Sequence, residues 1–355
     1  MRDRWVECDR SCVRRRAGFT LIELLVVVAI IALLVAIAVP AFTGVRTQAK
    51  NTQSANYLKI IGEGLEQFKN DHEKQNRQTN GYMSSQRRED PAIEGTQDIV
   101  GAQWLARALV GMPVVETIGG QEANRGFHGY ITRKIVPEST LRASGTNPNN
   151  SQVRWYRPKP TDAPIDRPGN YVSVDRLRIQ TFNDLPNIKN SAMIPNRRVF
   201  SPTAYVAPYF ADAFGWPILY YAARTHGKIL AVRKQGDLYQ RNLTGIYVHE
   251  DNGAITGTEG GSGKVKDGFM FLKRQPHPLG RFGPSNYAEL EDKKWEGSFI
   301  ERIHDHRIEL NDGHEDHDHG PSLVPYNPKS YLLITAGKDA LYGTQDDVNN
   351  FGSGG

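Results

Sequence analysis

Two groups of carboxylates in this sequence stand where an acid has a chemical consequence. Asp339, Asp346 and Asp347 fall within nine residues, and Gly337 and Gly343 let the chain turn. A hard cation such as calcium takes six to eight oxygens, mixing carboxylates with backbone carbonyls on a tight loop. The three carboxylates, the Thr344 side chain and the carbonyls of Leu341 and Thr344 are the candidate ligands. Asp346 and Asp347 are adjacent, so one of the two suffices as a direct ligand. The same residues also fit a solvated acidic turn. The second group is a single residue, Glu23, the one charge among the 24 residues from Phe19 to Phe42. A carboxylate in so apolar a segment is costly unless it finds a partner.

Other patterns carry less chemistry. His304, His306, His314, His317 and His319 alternate with Asp305, Asp312, Glu315, Asp316 and Asp318. Imidazoles suit zinc, copper or nickel, but a structural zinc site needs defined spacing on ordered elements. The run HEDHDHG reads as a polar loop. Gly257–Lys264 fails the phosphate-loop pattern, because Thr258 replaces a glycine and Val265 replaces Ser or Thr. Asn242-Leu243-Thr244 fits a glycosylation acceptor by pattern only. No nucleophile–base constellation stands out, so the sequence makes no case for an enzyme.

The elements that must position Glu23 begin with a basic leader. Residues 1–18 carry Arg2, Arg4, Arg10, Arg14, Arg15 and Arg16 against Asp3, Glu7 and Asp9, so most of the chain's net charge of +5 sits there. Nothing in the remaining body suggests a nucleic-acid footprint. A basic flank beside an apolar run keeps its end in the cytoplasm. Both cysteines, Cys8 and Cys12, also lie in this leader. If it is removed, the mature chain has no thiol and no disulfide. The apolar run is too long for a secretory signal, and no A-x-A-like cleavage site follows it directly. It is long enough for a transmembrane helix, which takes ~20 residues, but a plain anchor leaves Glu23 unexplained. A third reading places cleavage before the run, between Gly18 and Phe19.

Gly18-Phe19-Thr20-Leu21-Ile22-Glu23-Leu24-Leu25-Val26-Val27 resembles the processing signature of type IV pilins and type II secretion pseudopilins. The resemblance implies cleavage after Gly18 by a prepilin peptidase that then N-methylates Phe19. It also implies that Glu23 is the family's assembly acid and that Pro40 is its helix-kinking proline. The physics agrees. Cleavage makes an α-amino group that is largely protonated near neutral pH, and that cation and a carboxylate neutralise each other when paired between neighbouring subunits. Glu23 would thereby set the register of one subunit on the next.

Apolar residues continue at Val45, Ala49, Ala55, Leu58, Ile61, Leu65 and Phe68, with charges and amides between them. The spacing predicts an amphipathic helical half that frays between Asp71 and Asn76. Gln103–Leu109 reads as a short helix, and residues 137–170, rich in Pro, Asn and Ser, as irregular chain. Further on, Pro217–Arg224 and Lys228–Lys234 flank Thr225-His226-Gly227 as a hairpin. Gly245–His249, Gly268–Leu272 and Tyr331–Ala336 are further strand candidates. Long helix first and antiparallel strands later is an α+β pattern, with the sheet packed on the amphipathic half. The expected divisions are a leader at 1–18, a transmembrane and filament-core helix at 19–42 and an amphipathic helix at 43–75. An irregular insertion at 76–204 and a β-sheet domain at 205–355 follow.

Two later segments are similar to the major pseudopilins. Asp212-Ala213-Phe214-Gly215-Trp216-Pro217-Ile218-Leu219-Tyr220-Tyr221 looks like their D-x-W-G-x-P-x-x-Y segment, with Phe214 for tryptophan. The stretch from Ala336 to Phe351 is similar to their calcium loop, with Ala340 for glycine and Phe351 for tryptophan. The resemblance implies Ca2+ held by Asp339, Leu341, Thr344, Asp346 and Asp347. It also implies a filament of this chain with other pseudopilins, an inner-membrane assembly platform, contact with membrane lipid and a body in the periplasm. Two further readings remain open at this stage. One is a type IV pilus subunit or minor pilin for adhesion or DNA uptake. The other is an uncleaved, membrane-anchored periplasmic protein that binds a metal or carbohydrate.

Overall fold

The computed structural model describes residues 20–74, 76–86, 99–111, 113–118, 121–127, 170–182, 207–227, 245–257, 277–281, 293, 296–305 and 324–352. The architecture is α+β, as the order of helix-like and strand-like runs predicts. The chain divides into two compact units, Met1–Ala49 and Lys50–Gly355. The first helix, α1 (Leu21–His72), contributes to both.

Among the described side chains of the first unit, α1 buries none. Leu21, Ile22, Leu24, Leu25, the three valines 26–28, Ile30, Ile31, Leu33, Leu34, Val35 and Ile37 are all exposed. The helix continues through Pro40. The expectation of a membrane-crossing helix at 19–42 is not met: among the described residues no helix is long and apolar enough to cross a membrane. The run of described apolar side chains, Leu21–Ile37, rises about 26 Å at ~1.5 Å per residue. A bilayer's hydrocarbon core is ~30 Å thick, and Glu23 interrupts the apolar run near its start.

In the second unit α1 becomes one-sided. Ser54, Leu58, Ile61, Leu65, Phe68 and His72 are buried at steps of four and three, which line one face of a helix. Ala55, expected on this stripe, is exposed, and the buried position beside it is Ser54. Gly64 also belongs to the packed face, where a Cβ would collide with Val172. The helix ends at His72, within the expected fraying segment.

The stripe packs on a sheet. Strands β3 (Arg178–Gln180) and β4 (Tyr209–Ala211) pair antiparallel, as do β5 (Leu219–Ala222) and β6 (Tyr331–Ile334). Ile218 N–H donates to the Phe210 carbonyl and Ala211 bridges Pro217, which joins the two pairs. Alternate residues of β5 and β6 face opposite cores. Tyr220, Ala222, Tyr331 and Leu333 join Leu58, Ile61, Leu65 and Phe68 of α1, together with Trp104 and Leu105 of helix α2 (Gly101–Leu109). Leu219, Tyr221, Leu332 and Ile334 face Ile255, Phe299, Ile303, Tyr342 and Phe351. A strand buried on both faces reads as a continuous apolar run, which is why LYYA and YLLI show no alternation.

Several expectations change in detail. The stretch 76–204, expected to be irregular, holds α2, the antiparallel pair β1 (Pro113–Ile118) and β2 (Gln121–Phe127), and β3. Residues 245–249 form no strand; the chain there turns into a 3-10 segment, His249–Asn252. The described partner of β5 is β6, while the expected hairpin strand at 228–234 and the candidate at 268–272 lie outside the described residues. A short helix, α4 (Phe299–Ile303), follows the one-turn helix α3 (Gly253–Thr256).

Candidate functional site

Two places gather the residues that the sequence singles out. The first is the start of α1. Gly18 and Phe19 lie outside the described residues. Thr20 and Glu23 form a reciprocal cap. Thr20 N–H donates to Glu23 Oε2 at 2.8 Å, and the Thr20 hydroxyl donates to the same oxygen at 2.7 Å. Glu23 N–H in turn reaches Thr20 Oγ1 at 3.3 Å. This is a capping box, which satisfies donors left open in the first helical turn. A carboxylate there also complements the positive end of the helix dipole. The T-x-x-E spacing at 20–23 carried this signal in the sequence and was not read as a cap.

The second place is the C-terminal loop after β6. Thr335 N–H donates to the Val348 carbonyl and Val348 N–H to the Thr335 hydroxyl, closing the loop at its base. Asp346 Oδ2 accepts the N–H groups of Lys338 and Asp339 at 2.6 and 3.2 Å. Gly337 makes this possible: its φ is 60°, and a Cβ there would run into the Asp346 carboxylate. Ala340, at φ 62°, takes the same left-handed turn without being glycine. Asp347 Oδ2 accepts Gly343 N–H at 2.6 Å and Thr344 N–H at 3.3 Å. The Thr344 hydroxyl lies 2.8 Å from Asp346 Oδ1, 3.3 Å from Asp347 Oδ1 and 3.2 Å from the Leu341 carbonyl. Asp339 Oδ1 accepts Leu341 N–H.

The loop therefore brings Leu341, Thr344, Asp346 and Asp347 together, while Asp339 serves its own turn. Among the described residues no group of three or more His, Cys, Asp or Glu is placed to hold a metal ion. Several of the oxygens expected to bind calcium are engaged by protein donors, and one of those donors is charged. Arg302 of α4 donates through Nη2 to the Thr344 carbonyl, and the same nitrogen lies 3.6 Å from Asp347 Oδ2. The Asp347 side chain is fully buried. Burial pushes its carboxyl above the ordinary carboxylate range, opposed first by the Arg302 guanidinium and then by Gly343 N–H. Calcium takes six to eight oxygen ligands, and here a charged donor already sits on two of the expected ones, the Thr344 carbonyl and Asp347 Oδ2. Arg302 was not singled out from sequence, since nothing in FIERI ties it to a loop some forty residues on.

The D-x-F-G-W-P segment is a turn built on one buried acid. Asp212 Oδ1 accepts the N–H groups of Phe214, Gly215 and Trp216 at 2.9, 2.8 and 2.9 Å. Burial nonetheless pushes its carboxyl up to about 6. Gly215, at φ 102°, supplies the left-handed step. Pro217 then enters β5, and its carbonyl accepts the Tyr342 hydroxyl at 2.6 Å. The segment thus ties the sheet to the C-terminal loop. In the histidine run, His304 and Asp305 are buried next to Pro325 and Val324, and the remainder lies outside the described residues.

Residues 13–39 match the family model of the prokaryotic N-terminal methylation motif, which is the leader signature of type IV pilins and pseudopilins. No curated protein and no solved structure matches the chain.

Proposed function

We propose that this chain, which carries a pilin-type methylation leader, is a structural subunit of a type II secretion-like pseudopilus rather than an enzyme. The leader implies processing by a prepilin peptidase and assembly into a filament from a membrane-anchored precursor. Cleavage falls between Gly18 and Phe19, and the new Phe19 amine is methylated. The apolar head of α1 anchors the precursor and then packs against the heads of neighbouring subunits. The body lies on the periplasmic side, and the inner-membrane assembly platform and other pseudopilins are its partners.

One observation carries this reading. The exposed side chains of Leu21–Ile37 form an apolar helical surface whose one acid is Glu23, in the first turn of the helix that follows the cleavage point. In the single subunit that acid caps its own helix through Thr20. In a filament it exchanges this cap for the Phe19 amine of a neighbour, a charged donor that makes a stronger bond than a neutral one. The secretion assignment is favoured by the Asp212–Tyr221 turn and the C-terminal loop, and by a mature chain without cysteine.

Mass spectrometry of the mature protein tests the first step: an N-methylated Phe19 is expected, and an uncleaved Met1 terminus overturns the reading. Deleting the gene tests the second. Loss of protein export across the outer membrane with intact surface pili is expected. Loss of surface pili with normal export assigns the chain to a pilus instead.

A further inference from the structure

We infer that the Arg302 guanidinium is the resident cation of the C-terminal loop, so that this loop closes without a metal ion. The inference rests on the loop's own geometry and stands apart from the filament reading.

A loop of this shape gathers negative charge and carbonyl dipoles, and something positive must balance them. Asp347 is the sharpest case. Its side chain is fully buried, and a buried carboxylate without a counter-charge is strongly destabilising. Arg302 supplies the charge from outside the loop. Its Nη2 reaches one backbone carbonyl, that of Thr344, and one carboxylate oxygen, Asp347 Oδ2. A carbonyl together with a carboxylate is the mixed oxygen pair that calcium takes. A guanidinium stays charged at any physiological pH. A divalent ion at the same place would face that fixed positive charge.

The remaining oxygens are partly engaged as well. Asp346 accepts two N–H groups on one oxygen. The one Thr344 hydroxyl proton is shared between Asp346 Oδ1 and the Leu341 carbonyl, and Asp339 accepts Leu341 N–H. The position of Arg302 is also fixed by the fold. Phe299, Ile300 and Ile303 of α4 are buried, Phe299 N–H donates to the Arg281 carbonyl, and Glu301 accepts Gly297 N–H at 3.0 Å. Gly297 and Gly343 then pass so closely that a Cβ on either would strike the other's carbonyl. The helix that carries the arginine is thus seated directly on the loop that needs it.

The test is thermal unfolding of the full-length protein in detergent, in chelator and in millimolar calcium, for the wild type, Arg302→Met and Arg302→Lys. The wild type is expected to melt at the same temperature in both conditions. Arg302→Met is expected to melt roughly 4–10 °C lower, and to recover part of that loss in calcium, because the Thr344 carbonyl and Asp347 are then free. Arg302→Lys, which keeps the charge on a differently shaped head group, should fall between the two. A saturable calcium-dependent rise of several degrees in the wild type overturns the inference, and so does an Arg302→Met protein as stable as the wild type. If Arg302→Met does not fold, the wild-type comparison and Arg302→Lys still decide the question.

Discussion

The two halves of α1 differ in how their apolar residues are arranged, and they meet opposite fates. From Leu21 to Ile37 the large apolar residues are 46–81% exposed, on every side of the helix. From Ser54 to Phe68 the apolar residues at steps of four and three are at most 4% exposed, and charged residues occupy the other face. The difference lies in patterning. A helix that is apolar all round has no polar face to give to water, so it needs a surrounding of lipid or of other helices. A helix with one apolar stripe is satisfied by one sheet. Fold stability therefore belongs to the second half, and the first half is free to serve association.

The strongest way to break this comparison is to truncate one apolar side chain in each half. Phe68 is fully buried and packs on His72 and Tyr171, with ring centroids 4.5 and 5.4 Å away. Phe68→Ala should cost about 3–5 kcal/mol, read by denaturant unfolding with tryptophan fluorescence. Leu25→Ala should change the same measurement by less than about 0.5 kcal/mol and lower filament yield instead. Equal losses of stability in the two variants would show that the halves are not divided in this way.

Acid separates the halves by a different route, because the second unit contains buried titrating groups. His277 is held neutral by burial, which pushes it down to about 4, and its Nδ1 accepts Tyr342 N–H. Asp251, buried with Arg224 and Ser85 as partners, is pushed up to about 6, as is Asp212. The signs oppose. A lowered histidine makes stability fall as pH drops from ~6.5 to ~4, by roughly 3 kcal/mol at most. A raised aspartate makes stability rise as pH drops from ~6 to ~4, since the folded state then binds more protons. Asp347, also raised by burial, adds to the two aspartates, so the three outweigh the one histidine and the wild type should grow more stable on acidification from pH 6 to pH 4. His277→Gln, which removes the opposing group, should gain more over the same range, measured by unfolding free energy at each pH.

Glu23 tests the association half alone. Glu23→Ala should be cleaved and methylated normally, because the cleavage point at Gly18–Phe19 is intact. Its filament yield should fall to roughly a tenth or less, read by shearing and immunoblot. Denaturant unfolding of the body should be unchanged. Normal filament yield would refute the register role of this acid.

How much of this was legible in the sequence follows from the same physics. The helix expected at 103–109, the strand expected at 331–336 and the Leu58–Phe68 part of the α1 stripe are local patterns of period or composition. The structure has them, the helix over Gly101–Leu109 and the strand over Tyr331–Ile334, whereas Val45, Ala49 and Ala55 of the expected stripe are exposed. The N-terminal motif reads best of all, since its residues are contiguous. The pairing of β5 with β6 was not legible, because two strands buried on both faces carry no register signal. Nor was Arg302: a guanidinium finds its loop through tertiary structure, and spacing along the chain holds no trace of that. The capping box at Thr20–Glu23 is legible in the T-x-x-E spacing, which places the acid in the first turn of α1 as well as among apolar neighbours.

Ser54 is the smallest and most instructive case. It occupies an apolar-stripe position on α1, fully buried, where helical periodicity alone predicts a hydrophobic residue. Its hydroxyl oxygen accepts Ala213 N–H at 3.1 Å, one residue after the acid that organises the turn between β4 and β5. The helix therefore reads the sheet there through a hydrogen bond instead of a methyl contact. Ser54→Ala removes the acceptor and leaves a buried N–H unpaired, at a cost of about 1–2 kcal/mol. Ser54→Val, closer to what the stripe's pattern calls for, should be no more stable than Ser54→Ala, because added apolar area does not restore the lost acceptor. Denaturant unfolding of both variants checks the order. A stabilised Ser54→Val would mean that the stripe is held by burial alone, and that the second half of α1 differs from the first only in having a partner.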